Sequence, residues 1–402
     1  MVGALTLLVL GTAFRPLDPI RDAVNGGLVI DARLERSLGY TVVGPLSGLL
    51  DAMTLFTVGQ IIAFTLWSLG LYAVARFVRR RHAAVSIGRE AFYAVSAFVA
   101  LLLVYAAAAV LPRPMAQLII TRSDVIAVDF HTHTGYSHDG RPGWSAADVR
   151  DWHAAAGYNA AYITDHATFD GVKDALPLDT TVAGQGFTLL PGLEAFYHGE
   201  HVNILNAGVR FKGTTTADMR TVDDQALLMA SQFPGLEPVL IETIPGDLSM
   251  MIPAPGPGAP GVRAIEIVDG SPRGMSQARR SHDLIVHLAD SLNLALVAGS
   301  DNHGWGKTAP GWTLIRVPEW RGLGPDVLAK EIERVIRQAG RAGTHVVERT
   351  TAGARPIDVA VTLPAVLWTV MRTLSSGERF AWLVWIWGAW LIARLVRSRS
   401  TP

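Results

Sequence analysis

Four short segments end apolar runs on residues that bind metal ions. They are Val128-Asp129-Phe130-His131-Thr132-His133, Ile163-Thr164-Asp165-His166, Pro191-Gly192-Leu193-Glu194 with His201 shortly after, and Gly299-Ser300-Asp301-Asn302-His303. In a strand, residues i and i+2 face the same side. His131 and His133 can therefore reach one ion, and Asp301 and His303 repeat the spacing. Asp129 shares that face and is placed to orient a ligand from behind. Strands that finish on such residues and meet at one rim describe a polynuclear metal site suited to hydrolysis. Mixed imidazole and carboxylate ligands suit Zn, Mn or Fe.

The elements that must carry these residues alternate. Apolar runs at 125–130, 160–165, 187–193, 201–206, 238–242, 264–268 and 294–299 read as strands, and 145–157, 217–233, 278–292 and 325–339 read as helices. That alternation predicts an α/β fold with a parallel sheet or barrel, whose catalytic residues gather at the C-terminal strand ends. The Pro/Gly-rich stretch at 253–261 is a loop.

The chain has 402 residues, of which 17% are charged, against roughly 25% in ordinary soluble domains. The deficit lies near the two ends. Segments 52–75 and 91–112 are uncharged and apolar, and each meets the ~20 residues a spanning helix needs. Between them lie Arg76, Arg79, Arg80, Arg81 and Arg89, a basic loop expected to stay in the cytoplasm. Segment 1–14 is a possible short span, and 15–50 reads as a loop with amphipathic pieces. A further span is expected at about 380–396, rich in Trp and followed by Arg397 and Arg399; 359–371 contains Pro364 and reads as an interfacial helix. The expected organisation is thus a membrane region at 1–114, a hydrolase domain at 115–350 and a membrane-associated region at 351–402. The topology puts the middle domain outside the cytoplasm, on a bacterial plasma membrane. There are no cysteines, which excludes disulfides and thiolate ligands, and the net charge of zero offers no argument for nucleic acid.

The motifs together resemble the PHP (polymerase and histidinol phosphatase) superfamily of metal-dependent phosphoesterases, over about 180 residues from Asp129 to His303. His131 through Gly140, Thr164-Asp165-His166, Pro191 through His201 and Gly299 through His303 match its four motifs in order. The resemblance implies a distorted (β/α)7 barrel, flanked here by transmembrane helices, with two or three divalent ions. It implies that His131, His133, Glu194 and Asp301 hold one ion. Glu194 would bridge to a second that His201 also binds. His166 and His303 would hold a third with Asp139, for which His138 is the competing candidate. His198 would lie in a loop near the mouth. One departure is plain: Ile244 stands where the family commonly supplies another His, with Glu242 as the available substitute.

The leading expectation is attack of a metal-bridged hydroxide on a phosphoester, with Asp165 or His201 assisting proton transfer. Rival readings are a carboxyl-ester or carbamate hydrolase on the same site and a degenerate membrane sensor or scaffold. Arg141, Arg273 and Lys307 follow motif segments and could clamp an anion; solvated loop charge is the equal alternative. The remaining histidines, His82, His153, His282, His287 and His345, read as surface or packing residues. The expected partners are a small-molecule, lipid or envelope phosphoester and membrane lipids, with no nucleic acid.

Overall fold

The computed structural model describes residues 2–79, 86–166, 168–175, 186–197, 200–205, 238–256, 259, 261–353 and 359–399. The helix expected at 217–233 and the loop residue His198 lie outside them. Among the described residues the strands are β1 (Ile20–Asp22), β2 (Ala32–Arg36), β3 (Ala116–Ile120), β4 (Val125–Thr132), β5 (Ala160–Ile163), β6 (Thr188–Tyr197), β7 (Glu200–Leu205), β8 (Val239–Glu242), β9 (Val262–Val268), β10 (Ala295–Ala298), β11 (Gly311–Arg316) and β12 (Thr344–Arg349). Ten of them form one sheet in the order β1-β12-β11-β4-β5-β6-β7-β8-β9-β10, while β2 pairs with β3. The sheet curls: the Ala298 amide on β10 donates to Thr313 Oγ1 on β11 at 2.8 Å, although the two strands are far apart in the strand order.

The alternation implied a parallel sheet or barrel, and the observed sheet is curled but mixed. β4–β5, β5–β6, β8–β9 and β9–β10 are parallel. β6–β7–β8 and β1–β12–β11–β4 run antiparallel. The step from Tyr197 to Glu200 is too short for the crossover that parallel strands need. β11 and β12 were missed because neither shows a long apolar run.

The strands bury both faces. Ile126, Val128 and Phe130 alternate onto an inner core that also receives Leu328, Ile332 and Ile336 of the helix Pro325–Ala339. Each such side chain contributes about 1.5–3 kcal/mol by leaving water. On β9, Ile265 and Ile267 face the other way, onto Ala278 and Ile285 of the helices Pro272–Arg280 and His282–Leu292. The expected helix at 145–157 runs Ala146–Ala156, started by a reciprocal cap between Ser145 and Asp148 and stopped by Gly157 at φ 88°.

Contacts divide the chain into two compact units. One comprises Ile20–Glu35 and Ala116–Arg349 and contains the sheet; the other comprises Met1–Pro19, Arg36–Met115 and Thr350–Pro402 and is helical. Among the described residues of the helical unit, three helices are long and apolar enough to cross a membrane: Val58–Val78, Ile87–Val110 and Ser376–Val396. The shorter apolar stretch is Val2–Phe14. The first long helix starts later than the hydropathy suggested, because Thr57 and Gln60 cap it reciprocally: Thr57 N donates to Gln60 Oε1 at 3.0 Å and Gln60 N to Thr57 Oγ1 at 3.2 Å. The second starts earlier, at the Ser86 cap. Inside this unit Asp51 is buried and accepts from Arg113 Nε at 2.9 Å and Tyr40 Oη at 2.8 Å, while Glu378 pairs with Arg36 at 2.9 Å.

Candidate metal centre

The four motif segments meet at one end of the sheet. His131 lies on β4 and His133 just beyond it; both are buried, with ring centroids 5.0 Å apart. Glu194 on β6 stands between them: its Oε2 is 2.9 Å from His131 Nε2 and 3.3 Å from His133 Nε2. The β6–β7 hairpin brings His201 Nδ1 to 2.8 Å from Glu194 Oε1. The segment after β5 lies beside them, with His166 Nδ1 3.5 Å from Glu194 Oε2. The segment after β10 runs along the end of β4, where Asp301 N donates to the His131 carbonyl at 2.8 Å and His133 N donates to the Asn302 carbonyl at 3.2 Å. Asp301 takes φ 45°, a left-handed conformation that Asp tolerates better than most residues and that often marks functional sites. It puts Asp301 Oδ1 3.3 Å from both His133 Nε2 and His303 Nδ1.

Asp139 reaches the two histidines expected beside it. Its Oδ1 is 3.1 Å from His303 Nε2 and its Oδ2 3.5 Å from His166 Nε2, and Ser137 Oγ donates to Oδ1 at 2.9 Å. His138 is mostly exposed and 3.9 Å from Asp139, though it still groups with Asp139 and His166. Ligand atoms lie within 4.8 Å of one another in His131–His133–Glu194, in His166–Glu194–His201, in His133–His166–His303 and in His131–Asp269–Asp301.

The donor set fits divalent cations. Both nitrogens of His133 and the Nε2 of His303 are buried and make no hydrogen bond, although carboxylate oxygens approach to 3.3 and 3.1 Å. Buried polar atoms are normally paired. Nitrogen and oxygen atoms that crowd together without bonding one another are arranged to share a third party. The electrostatics agree. Burial disfavours charge throughout, yet the Glu266, Glu194 and Asp301 carboxylates hold the His131 pKa well above its ordinary value. Against burial, the Asp301 and Glu194 carboxylates beside it raise His133 to about 9. His131 and its fellow histidines outweigh burial at Glu194 and Asp301 and hold both carboxylates low. Burial pushes His166 down to about 4 and also lowers His303, which favours neutral rings with one nitrogen lone pair each.

Residues inside and outside the motifs support the site. Glu266, fully buried on β9, places Oε1 2.9 Å from His131 Nδ1 and accepts from Ile244 N on Oε2 at 3.1 Å. Its signal was a lone acid inside the apolar run Val262–Val268. Asp129 supports the site by another route than ring orientation. Its Oδ1 accepts from the amides of His131 and Ser300 at 3.1 and 2.9 Å, and its Oδ2 lies 2.7 Å from His153 Nε2. His153 is therefore a buried packing residue of the helix Ala146–Ala156. Asp165 has both oxygens engaged, accepting from Thr134 N at 2.6 Å and Thr134 Oγ1 at 2.7 Å. Ile244 is buried against Ile265, Ile267 and Leu248. Glu242, the available substitute for the missing histidine, joins none of the ligand groups among the described residues. Burial and the neighbouring Glu200 and Glu266 push its carboxyl up to about 8. Arg141 and Lys307 flank Trp144 beside the His303 segment, 5.1 and 5.4 Å from its ring, while Arg273 is exposed on the helix Pro272–Arg280.

Glu266 yields a direct expectation. Glu266→Gln should weaken divalent-metal affinity by about 10–100-fold, because the residue that orients a ligand ring matters nearly as much as the ligand. Titration of metal into chelator-treated protein measures it; unchanged affinity would show that His131 is held by packing.

No protein-family model matches the chain, and no curated protein is significantly similar to it. Solved structures are similar at low identity. PsfC from Pseudomonas syringae is 18% identical over 60% of this chain and 96% of its own, with a TM-score of 0.38. A two-domain protein from Bacteroides vulgatus, containing a predicted PHP-like metal-dependent phosphoesterase, is 16% identical over 56% of this chain and 65% of its own, TM-score 0.32. The lesion-specific endonuclease of Pyrococcus furiosus is 15% identical over 55% of this chain and 57% of its own, TM-score 0.36. A further similar structure holds endonuclease Q with a 27-mer duplex whose abasic lesion lies at the active site. The expectation that nucleic acid has no part is corrected by these findings: a zero net charge describes the whole chain and does not report what a local site can bind.

Proposed function

We propose that this chain is a membrane-anchored, metal-dependent phosphoesterase with a PHP-type (β/α)7 barrel. The observation that carries the reading is the convergence of eight residues from four distant segments, His131, His133, Asp139, His166, Glu194, His201, Asp301 and His303, on one cluster with orphaned nitrogens at His133 and His303. Two or three divalent ions, Zn, Mn or Fe, would when bound acidify water and neutralise phosphoryl charge.

The protein's own residues do the rest. His131, His133, Glu194 and Asp301 would hold the first ion, Glu194 and His201 the second, and His166, His303 and Asp139 the third. Asp165 keeps the loop after β4 in place through Thr134. Proton transfer falls to His201, half-exposed at the mouth. Arg141 and Lys307 orient the anionic end of the substrate. The domains divide by role as 1–114, 115–350 and 351–402, with 20–35 serving the catalytic unit. The basic segment 76–89 keeps its side of the membrane cytoplasmic and puts the catalytic unit outside a bacterial plasma membrane.

The test is hydrolysis of 4-nitrophenyl phosphate and bis(4-nitrophenyl) phosphate by the full chain in detergent, with Mn2+ or Zn2+, beside His131→Ala. Metal-dependent turnover that the variant lacks is the expected result. Bound metal with no turnover on either phosphate, but turnover of 4-nitrophenyl acetate, would replace phosphoester by carboxyl ester.

A further inference from the structure

At the C-terminal end of β9, one residue past the strand, Asp269 is fully buried. Its Oδ1 is fixed: it accepts from Ser271 N at 2.7 Å and Ser271 Oγ at 2.6 Å, at the start of the helix Pro272–Arg280. Its Oδ2 is also buried and has no hydrogen-bond partner. A carboxylate in that position lacks a donor, and a carboxylic acid would lack an acceptor. Either state leaves a buried polar atom unsatisfied, which is costly. Asp269 also presents a ligand atom within 4.8 Å of those of His131 and Asp301. Glu266 stands on the far side of His131, and Glu194 on the near side. Several carboxylates thus surround one imidazole in a water-poor floor, an arrangement that a cation offsets.

We propose that Asp269 is a fifth protein ligand to the ion held by His131, His133, Glu194 and Asp301. This rests on the reading of the cluster as a metal centre. The shell then contains two imidazole nitrogens and three carboxylates. Zn2+ most often takes four ligands in a tetrahedron, whereas carboxylate-rich shells of higher coordination number suit Mn2+. The consequence is selectivity: Asp269 strengthens the binding of Mn2+ more than that of Zn2+.

The experiment titrates Mn2+ and Zn2+ separately into the chelator-treated full chain in detergent, native and Asp269→Asn. The Asn retains an acceptor for Ser271. The expected result is a fall of at least about tenfold in Mn2+ affinity at the tightest site, with a smaller fall for Zn2+. Unchanged affinities, or equal falls for both metals, overturn the proposal while leaving the centre intact. Native protein that binds neither metal overturns the centre as well. If Asp269→Asn does not fold, Mn2+ anomalous scattering from crystals of the native chain decides. A peak within about 2.6 Å of an Asp269 oxygen is expected, and peaks that all lie beyond ligand distance refute it.

Discussion

If the proposed phosphoester hydrolysis is the activity, Glu194→Gln is expected to lower turnover by more than about a thousandfold, the order of the several kcal/mol a metal supplies to a charged transition state. Its carboxylate meets four histidines of the cluster. Its Oε2 faces His131, His133 and His166, and its Oε1 faces His201. The carboxylate is held well below its ordinary pKa against burial, chiefly by the His131 charge. Gln keeps the shape and removes the charge. One side of the substitution presents an amide N–H to histidine nitrogens that need an acceptor or an ion. Metal analysis beside the activity assay separates two origins of the loss. Emptied sites would show that Glu194 binds; filled sites with no turnover would show that its charge acts on the reaction. Activity within tenfold of native would remove Glu194 from the centre.

Gly299→Ala is expected to disable the site without deleting any ligand. A Cβ at this position would lie 2.5 Å from Glu266 Oε1 and 2.6 Å from the His131 Cβ. The backbone approaches this closely because Gly299 N donates to the Val268 carbonyl at 2.8 Å, which ties the start of the Asp301 segment to β9. The added methyl must push Glu266 off His131 Nδ1, or lift the segment that carries Asp301. Overpacking of a tight interior costs about 1–3 kcal/mol, so folding should survive. Thermal denaturation should show that modest loss, while metal affinity falls at least about tenfold through the displaced supporting carboxylate. A variant with native metal affinity would show that the floor of the site has slack.

How much of this was readable in advance depends on where each residue sits. His131, His133, His166, Glu194, Asp301 and His303 end or follow apolar runs, and that local signature survives in one sequence. Glu266 and Asp269 gave weaker signals. Glu266 interrupts an apolar strand and Asp269 follows one, and only the curl of the sheet reveals that both lie beneath His131. β11 and β12 were lost for a different reason. Thr344–Arg349 holds only two consecutive apolar residues, and both strands pair antiparallel although a helix, Pro325–Ala339, lies between them in sequence. β1 and β2 lay hidden in the charged segment 15–50, whose strand character comes from partners far along the chain. The capped starts at Thr57 and Ser86 were legible as local motifs, but hydropathy pointed elsewhere.

The pairing of β1 with β12 has a consequence for biosynthesis. Arg21 and Glu348, joined across it at 2.6 Å, are 327 residues apart in sequence. Chains emerge from the ribosome at about 5–20 residues per second, so the first edge strand waits tens of seconds for its mate. During that time two apolar hairpin-like helices, Val58–Val78 and Ile87–Val110, have already been made. The unit that contains the sheet therefore cannot close as translation proceeds; its last seam forms only after Arg349 has emerged. A fragment beginning at 115 would leave β12 with a bare edge, the kind of edge that recruits neighbouring chains into aggregates.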